Sequence, residues 1–288
     1  MTHPRDDHYL ADLASDDIAA YLERDDVVLI PMASTEQHGP HLPLATDSIT
    51  AYEVSRRAAA EADVLYTPTV WTGYSPQHLW EPTRGSGTIT VRAETLNALL
   101  YDIARSLVHH GFKRLIFVNG HGSNVKVVDP LLRRIRYDTG ALVAFYKPYA
   151  ERYMGLVEDI LENPPEEMPG WHSSELETSQ VLAFDETLVR TERMRETRVS
   201  APSWLPASFA KDDGAPDLEF EGYQYFTMPF DHQEFSSTGV IGNPMRATKE
   251  KGEEAFRRYS SHLARAIAEL RKAEVTIRPE AVEYRDRV

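Results

Sequence analysis

The chain has 288 residues, 42% of them hydrophobic, enough to bury a sizeable core in one large domain. Its 31 Lys and Arg against 45 Asp and Glu leave a formal charge of -14, which repels phosphate backbones and anionic lipid, so nucleic-acid and membrane partners are not expected. There is no cysteine, which excludes disulfides and thiolate metal sites, so any metal must sit on His, Asp and Glu.

The polar, acidic N-terminus MTHPRDDHYLADLASDD has no apolar secretory core, and no run of about 18 apolar residues follows. A cytoplasmic location is the expectation. Residues 27–33 (VVLIPMA) form a short apolar run suited to a buried strand, followed by a polar loop from Ser34 to Asp47. Helical spacing is expected over 49–62 and a strand over 64–70, interrupted by Pro68. A short strand over 88–91 precedes an amphipathic helix over 93–110 that stops at Gly111.

Residues 114–118 read as a strand running straight into Asn119-Gly120-His121-Gly122-Ser123-Asn124, then a helix over 125–137 and a strand over 141–146. Residues 171–184 read as a loop turning into a helix. The segment 201–231, rich in Pro, Gly and aromatics without clear periodicity, is expected to be a long functional loop or flap. A last helix is expected over 248–272. Alternating apolar strands and amphipathic helices predict a single domain of layered α/β/α fold with a largely parallel central sheet. Its ligand site should lie at the carboxyl ends of the strands.

Three clusters carry candidate chemistry. Glu36, His38 and His41, followed by Asp47, combine carboxylate and imidazole donors after a strand, which suits a divalent ion. His121 sits between glycines at a strand-to-helix junction where backbone can approach a ligand closely. In the third, His172 lies ahead of Glu175 and Glu177, so an imidazole can move protons beside a carboxylate ligand. Each cluster alone also fits a plainer reading: solvated loop charges, a capped turn, or a helix N-terminus with acids favoured by the dipole.

Jointly the clusters resemble the creatininase family. Its Glu-Gln-His-Gly and His-Leu-Pro-Leu-x-Thr-Asp loop is matched by residues 36–39 and 41–47, and its Asn-Gly-His-Gly-x-Asn by 119–124. The His-x-x-Glu-x-Glu-Thr-Ser segment is matched by 172–179, and Gly-Val-x-Gly-x-Pro by 239–244. The resemblance implies two divalent ions, zinc and/or manganese with iron also compatible, on Glu36, His38, Asp47 and His121, with Asp47 bridging. Creatininase has a further Glu two residues after the motif His, where this chain has Ser123. The resemblance therefore implies a carboxylate from elsewhere, Glu177 first and Glu175 second, and it turns the expectation away from creatinine itself.

His172 is the expected proton donor to the leaving group, and the backbone at Gly122 an oxyanion donor. Trp171 and Glu175 are candidate substrate contacts, with Trp71, Tyr74, His78, Trp80 and Trp204 as further candidate pocket walls. The expected activity is metal-assisted hydrolysis of a small cyclic amide or other non-peptide C–N bond. The alternatives are hydrolytic opening of a cyclic ketone of a sugar or inositol derivative, and a non-catalytic binding protein that kept the fold. A closed homo-oligomer, often a hexamer in such enzymes, is implied by resemblance alone.

Overall fold

The computed structural model describes residues 5–80, 85–148, 155–162, 172–211 and 217–283. Strands β1 (Val27–Met32), β2 (Leu65–Tyr66), β3 (Arg114–Asn119) and β4 (Leu142–Tyr146) form one parallel sheet in the order β2-β1-β3-β4. All of β1 and all but the first residue of β3 are buried, which is why both read as unbroken apolar runs.

Side chains alternate between the two faces. Val28, Ile30, Leu115 and Phe117 enter a cluster with Leu96 and Leu100 of α3 (Ala93–His110) and Val128 and Leu131 of α4 (Val125–Thr139). Val27, Leu29, Ile116 and Val118 enter the opposite cluster. They meet Val54 and Ala58 of α2 (Thr46–Ala62) and Phe256 and Tyr259 of α7 (Lys249–Leu270) there. The fold is the expected α/β layering with a parallel central sheet. A short α1 (Ser15–Arg24), which the sequence reading passed over, adds Tyr21 to the first cluster, and α8 (Pro279–Val282) adds Ala281. No helix among the described residues is long and apolar enough to cross a membrane.

Three local expectations are corrected. The strand expected over 64–70 pairs only at Leu65 and Tyr66, and the chain rejoins the sheet at Val70 through single bonds to Pro31 and Ala33. Residues 88–91 make isolated bridges, Ile89 to Thr35 and Thr90 to Gly73, instead of a strand. Segment 201–231 is more than a loop. It holds β5 (Phe209–Ala210), β6 (Asp217–Phe220) and β7 (Tyr223–Thr227) in an antiparallel sheet, with Glu221 (φ 52°) and Gly222 (φ 83°) turning β6 into β7. Two left-handed residues in succession suit the tight hairpin turn. Leu205, Leu218, Phe230, Phe235 and Ile241 pack beneath it as a separate small cluster.

α7 crosses α5 (Glu175–Asp185) so closely that a Cβ on Gly252 would lie 1.9 Å from the Ser179 carbonyl oxygen. In an open helix, Gly→Ala would gain about 1 kcal/mol. Here the overlap reverses the sign. Gly252→Ala is expected to cost about 1–3 kcal/mol, read as a lower urea midpoint at unchanged m-value.

Candidate metal centre

Two strand ends and two helix starts meet at one point. The loop after β1 carries Glu36 and His38, the loop after β3 carries His121, the first turn of α2 carries Asp47, and α5 carries Glu177. α2 starts earlier than helical spacing suggested, so Asp47 is held by a helix rather than by a loop. The approach depends on Gly120, where a Cβ would lie 2.2 Å from the Asp47 carbonyl oxygen. Any side chain there would push His121 away from α2.

Asp47 divides the cluster in two. Its Oδ1 lies 3.1 Å from His38 Nε2, which is 3.6 Å from Glu177 Oε2. Its Oδ2 lies 3.0 Å from His121 Nδ1, which is 3.1 Å from Glu36 Oε2. Each half is a group of three donors able to hold a metal ion. Glu36, His38, Asp47 and His121 are buried, and Glu36 Oε2, His38 Nε2 and Asp47 Oδ2 have no hydrogen-bond partner. These atoms are close without being aimed at one another. Separations of about 3 Å are those of ligand atoms that each stand roughly 2.0–2.1 Å from a shared ion. Three carboxylates in so dry a place need cationic partners, and the donor set fits zinc or manganese.

Surrounding bonds aim the ligand atoms. His38 Nδ1–H donates to the Glu36 carbonyl (3.1 Å) and His121 Nε2–H to the Tyr74 carbonyl (3.0 Å), leaving His38 Nε2 and His121 Nδ1 as lone pairs. Gln37 Nε2–H donates to His78 Nδ1 (3.0 Å), and His78 Nε2 lies 3.3 Å from Glu36 Oε1, turning the other oxygen inward. The backbone N–H of Ser173, at φ 55°, donates to Glu177 Oε2 (2.5 Å). The asparagines of 119–124 are ties: Asn119 Nδ2 donates to the His121 carbonyl (2.6 Å), and Asn124 Nδ2 to Ala33 O and Asn119 Oδ1 (both 3.2 Å).

His172 stands beside this cluster, its ring centroid 4.3 Å from that of His38. Nε2–H donates to the Gln37 carbonyl (2.8 Å), and Nδ1 lies 3.9 Å from Glu36 Oε1. Burial, with His38 nearby, holds its pKa below the ordinary histidine value. The ring is neutral at pH 7, with Nδ1 free to take a proton.

The other expected residues separate. Gly122 opens a short 3₁₀ turn, Gly122–Asn124, directly after His121. Glu175 is fully buried but bonds Lys251 Nζ (2.6 Å) and the backbone N–H of Glu162 (3.0 Å). It lies about 200° round α5 from Glu177 and is in none of the three-donor groups among the described residues. It is a structural ion pair rather than the expected substrate contact. Ser123 accepts from Gln77 Nε2 (2.7 Å). Trp71 and Trp204 are 53% and 54% exposed, while Trp171 lies outside the described residues. His78, expected only as a pocket wall, orients Glu36, and His232, not among the expected residues, meets its ring at a 60° tilt with centroids 3.9 Å apart. Neither sits in a periodic segment, so only their residue type could have marked them.

Burial alone would lower His38 and His121. The carboxylates of Asp47 and Glu177 override it at the first, holding His38 well above its ordinary value, and those of Glu36 and Asp47 push His121 up to about 10. Without a cation, protons take its place. His41, bonded through Nε2 to Thr178 (3.0 Å), is lowered by burial from 6.5 to about 4. As pH falls from 6.5, the unfolded chain takes up this proton first, so the contribution is whole above 6.5 and lost on the way down to 4. The loss is about 3 kcal/mol at about 1.4 kcal/mol per pKa unit. Thermal unfolding should accordingly show a shallower fall in Tm between pH 6.5 and 4 for His41→Gln than for the wild type. Parallel curves would contradict the neutral buried ring.

The chain matches the family model Creatininase, described as creatinine amidohydrolase, over residues 11–267. It is 30% identical to creatinine amidohydrolase of Pseudomonas putida over 256 residues, 85% of this chain and 90% of that one. It is 31% identical to the mycofactocin precursor peptide peptidase of Mycobacterium tuberculosis over 257 residues, 84% of each. Identity to 3-dehydro-scyllo-inosose hydrolase of Thermotoga maritima is 24% over 269 residues, 91% of this chain and 84% of that one. A manganese creatininase structure matches with TM-score 0.70 and 26% identity, covering 92% of this chain and 99% of that one. A mutant creatininase of Zn-Zn type matches with TM-score 0.70 and 27% identity, covering 92% and 98%.

Proposed function

Since the chain belongs to the creatininase family of hydrolases, we propose that it uses two divalent metal ions to hydrolyse a small cyclic amide or another non-peptide C–N bond. Glu36, His38, Asp47, His121 and Glu177 are the proposed ligands, with Asp47 shared. The observation that carries this reading is the split of the Asp47 carboxylate, one oxygen toward His38 and the other toward His121. The manganese and Zn-Zn forms of related structures support the choice of metal. When bound, the ions would polarise a substrate carbonyl and lower the pKa of water towards about 7.

The chain's own residues supply the rest. His172 Nδ1 takes the proton from the attacking water and returns it to the leaving nitrogen, while its Nε2–H bond to Gln37 fixes the ring. Gly122, without a side chain beside His121, is the proposed oxyanion donor. A second reading, hydrolytic opening of a cyclic ketone in a sugar-like substrate, is favoured by the polar wall of His78, His172, His232 and Gln37 and by the likeness to the inosose hydrolase.

Elemental analysis with a hydrolysis screen over lactams, formamides and cyclic polyol ketones tests both readings. About two ions per chain and turnover of one class are expected. A protein that holds no divalent metal even after reconstitution would sink both. Self-association into a closed homo-oligomer belongs to the same reading and is checked by mass measurement in solution.

A further inference from the structure

Among the described residues, one buried imidazole beside the proposed ligands touches other rings but has no hydrogen-bond partner. His232 opens α6 (His232–Phe235) just after the hairpin sheet and is 7% exposed. Its ring lies 3.9 Å from that of His78 and edge-on to His172 at 4.9 Å. The turn that carries it is well fixed: Glu234 accepts from the Asp231 backbone N–H (2.8 Å) and from Trp204 Nε1 (2.9 Å). Ile241, in the same apolar cluster as Phe235, donates its N–H to the His172 carbonyl (2.8 Å). Yet neither ring nitrogen of His232 bonds a protein atom among the described residues, and Nδ1 is fully buried.

His78, His172 and His232 offer nitrogens within 4.8 Å of one another, the spacing of a further metal site. The trio lacks the free lone pairs for it. His78 engages Gln37 through Nδ1 and turns Nε2 to Glu36, and His172 donates through Nε2 to Gln37. Only His232 keeps both nitrogens uncommitted. A neutral imidazole carries one donor and one acceptor, and leaving the fully buried Nδ1 unmatched is costly unless a ligand completes it. A hydroxyl group can serve either tautomer, whereas a carbonyl serves only the N–H. Among the described residues the rings around His232 are the imidazoles of His78 and His172 and the phenyl of Phe235, and the two imidazoles match a hydrogen-bonding ligand.

We propose that His232 is a substrate-recognition residue that hydrogen-bonds a hydroxyl group of the substrate beside His172, so that hydroxylated rings are preferred over unsubstituted lactams. This rests on the hydrolase reading for its site but is tested by binding alone. Calorimetric titration of the metal-loaded protein would use a polyhydroxylated cyclohexanone and δ-valerolactam as probes. Wild type should bind the hydroxylated probe more tightly. His232→Phe, which keeps an aromatic ring without nitrogens, should weaken that probe roughly tenfold, the scale of one lost hydrogen bond, while leaving the lactam and the metal stoichiometry unchanged. His232→Gln should recover part of the loss.

Equal affinity of the wild type for both probes, binding of neither, or an unaltered preference in His232→Phe would overturn the proposal. Loss of one ion equivalent in His232→Phe would overturn it in favour of a third metal. Failure to hydrolyse either probe would count against the hydrolase reading and not against this one, because binding is read without turnover.

Discussion

Asp47→Asn should disturb both ions at once, where Glu36→Gln should affect one. The asparagine keeps the shape of the side chain and one oxygen, but its other atom becomes an NH₂ donor that cannot ligate. Asp47 Oδ1 faces His38 and Glu177 and Oδ2 faces His121 and Glu36, so one half-site must lose its shared donor and the charge of both falls. Replacing a residue that only supports a ligand typically costs about 10–100-fold in metal affinity or activity. Removal of a shared ligand should exceed that, with activity down by at least about 10³-fold. Elemental analysis after gel filtration would show fewer than two ions, with an unchanged far-ultraviolet circular dichroism spectrum. Full metal content in Asp47→Asn would contradict the shared-ligand geometry.

The second large effect is expected at His172. His172→Gln should lower kcat by about 10²–10⁴-fold, the range for one general acid–base group, while metal content stays at the wild-type level. The pH profile separates this from a packing role. Burial holds the folded pKa of His172 below its ordinary value, so the active neutral form persists down to a pH below 6.5 and wild-type activity falls only as pH drops through that lower pKa. That acid limb should vanish in the variant. Because Glu36, His38 and His172 also form a three-donor group, loss of an ion in His172→Gln would instead make His172 a ligand.

Much of the scaffold was legible because a parallel sheet covered on both sides must be written as apolar runs, as in β1 and β3. α3 was legible from its stripe and from Gly111, which closes it at φ 115°. β2 was overdrawn because the β-branched residues Thr67, Thr69 and Val70 continue on either side of Pro68, which lacks a backbone donor. The hairpin sheet was hidden for the opposite reason. β7 is exposed along its whole length, so no alternation of burial marks it, and β6 carries an irregular register between Leu218 and Phe220.

The candidate ligands were legible because three local motifs hold them. Their convergence was not, since it depends on Gly120 letting α2 approach the end of β3. Glu175 and Glu177 were indistinguishable as residue types. Only the position of Lys251, on a helix about seventy residues later, separates the ion pair from the carboxylate facing His38. His78 and His232 belong to no motif, and their ring contact is a tertiary event.

The hairpin sheet has its own small apolar cluster, distinct from the two that sandwich the parallel sheet. Its far end nevertheless delivers His232 to the proposed active site. The proposed recognition residue and the proposed metal ligands are thus housed in pieces stabilised by different contacts. A lineage built this way can exchange the outer piece, and with it the molecule it acts upon, while inheriting the reactive centre unchanged.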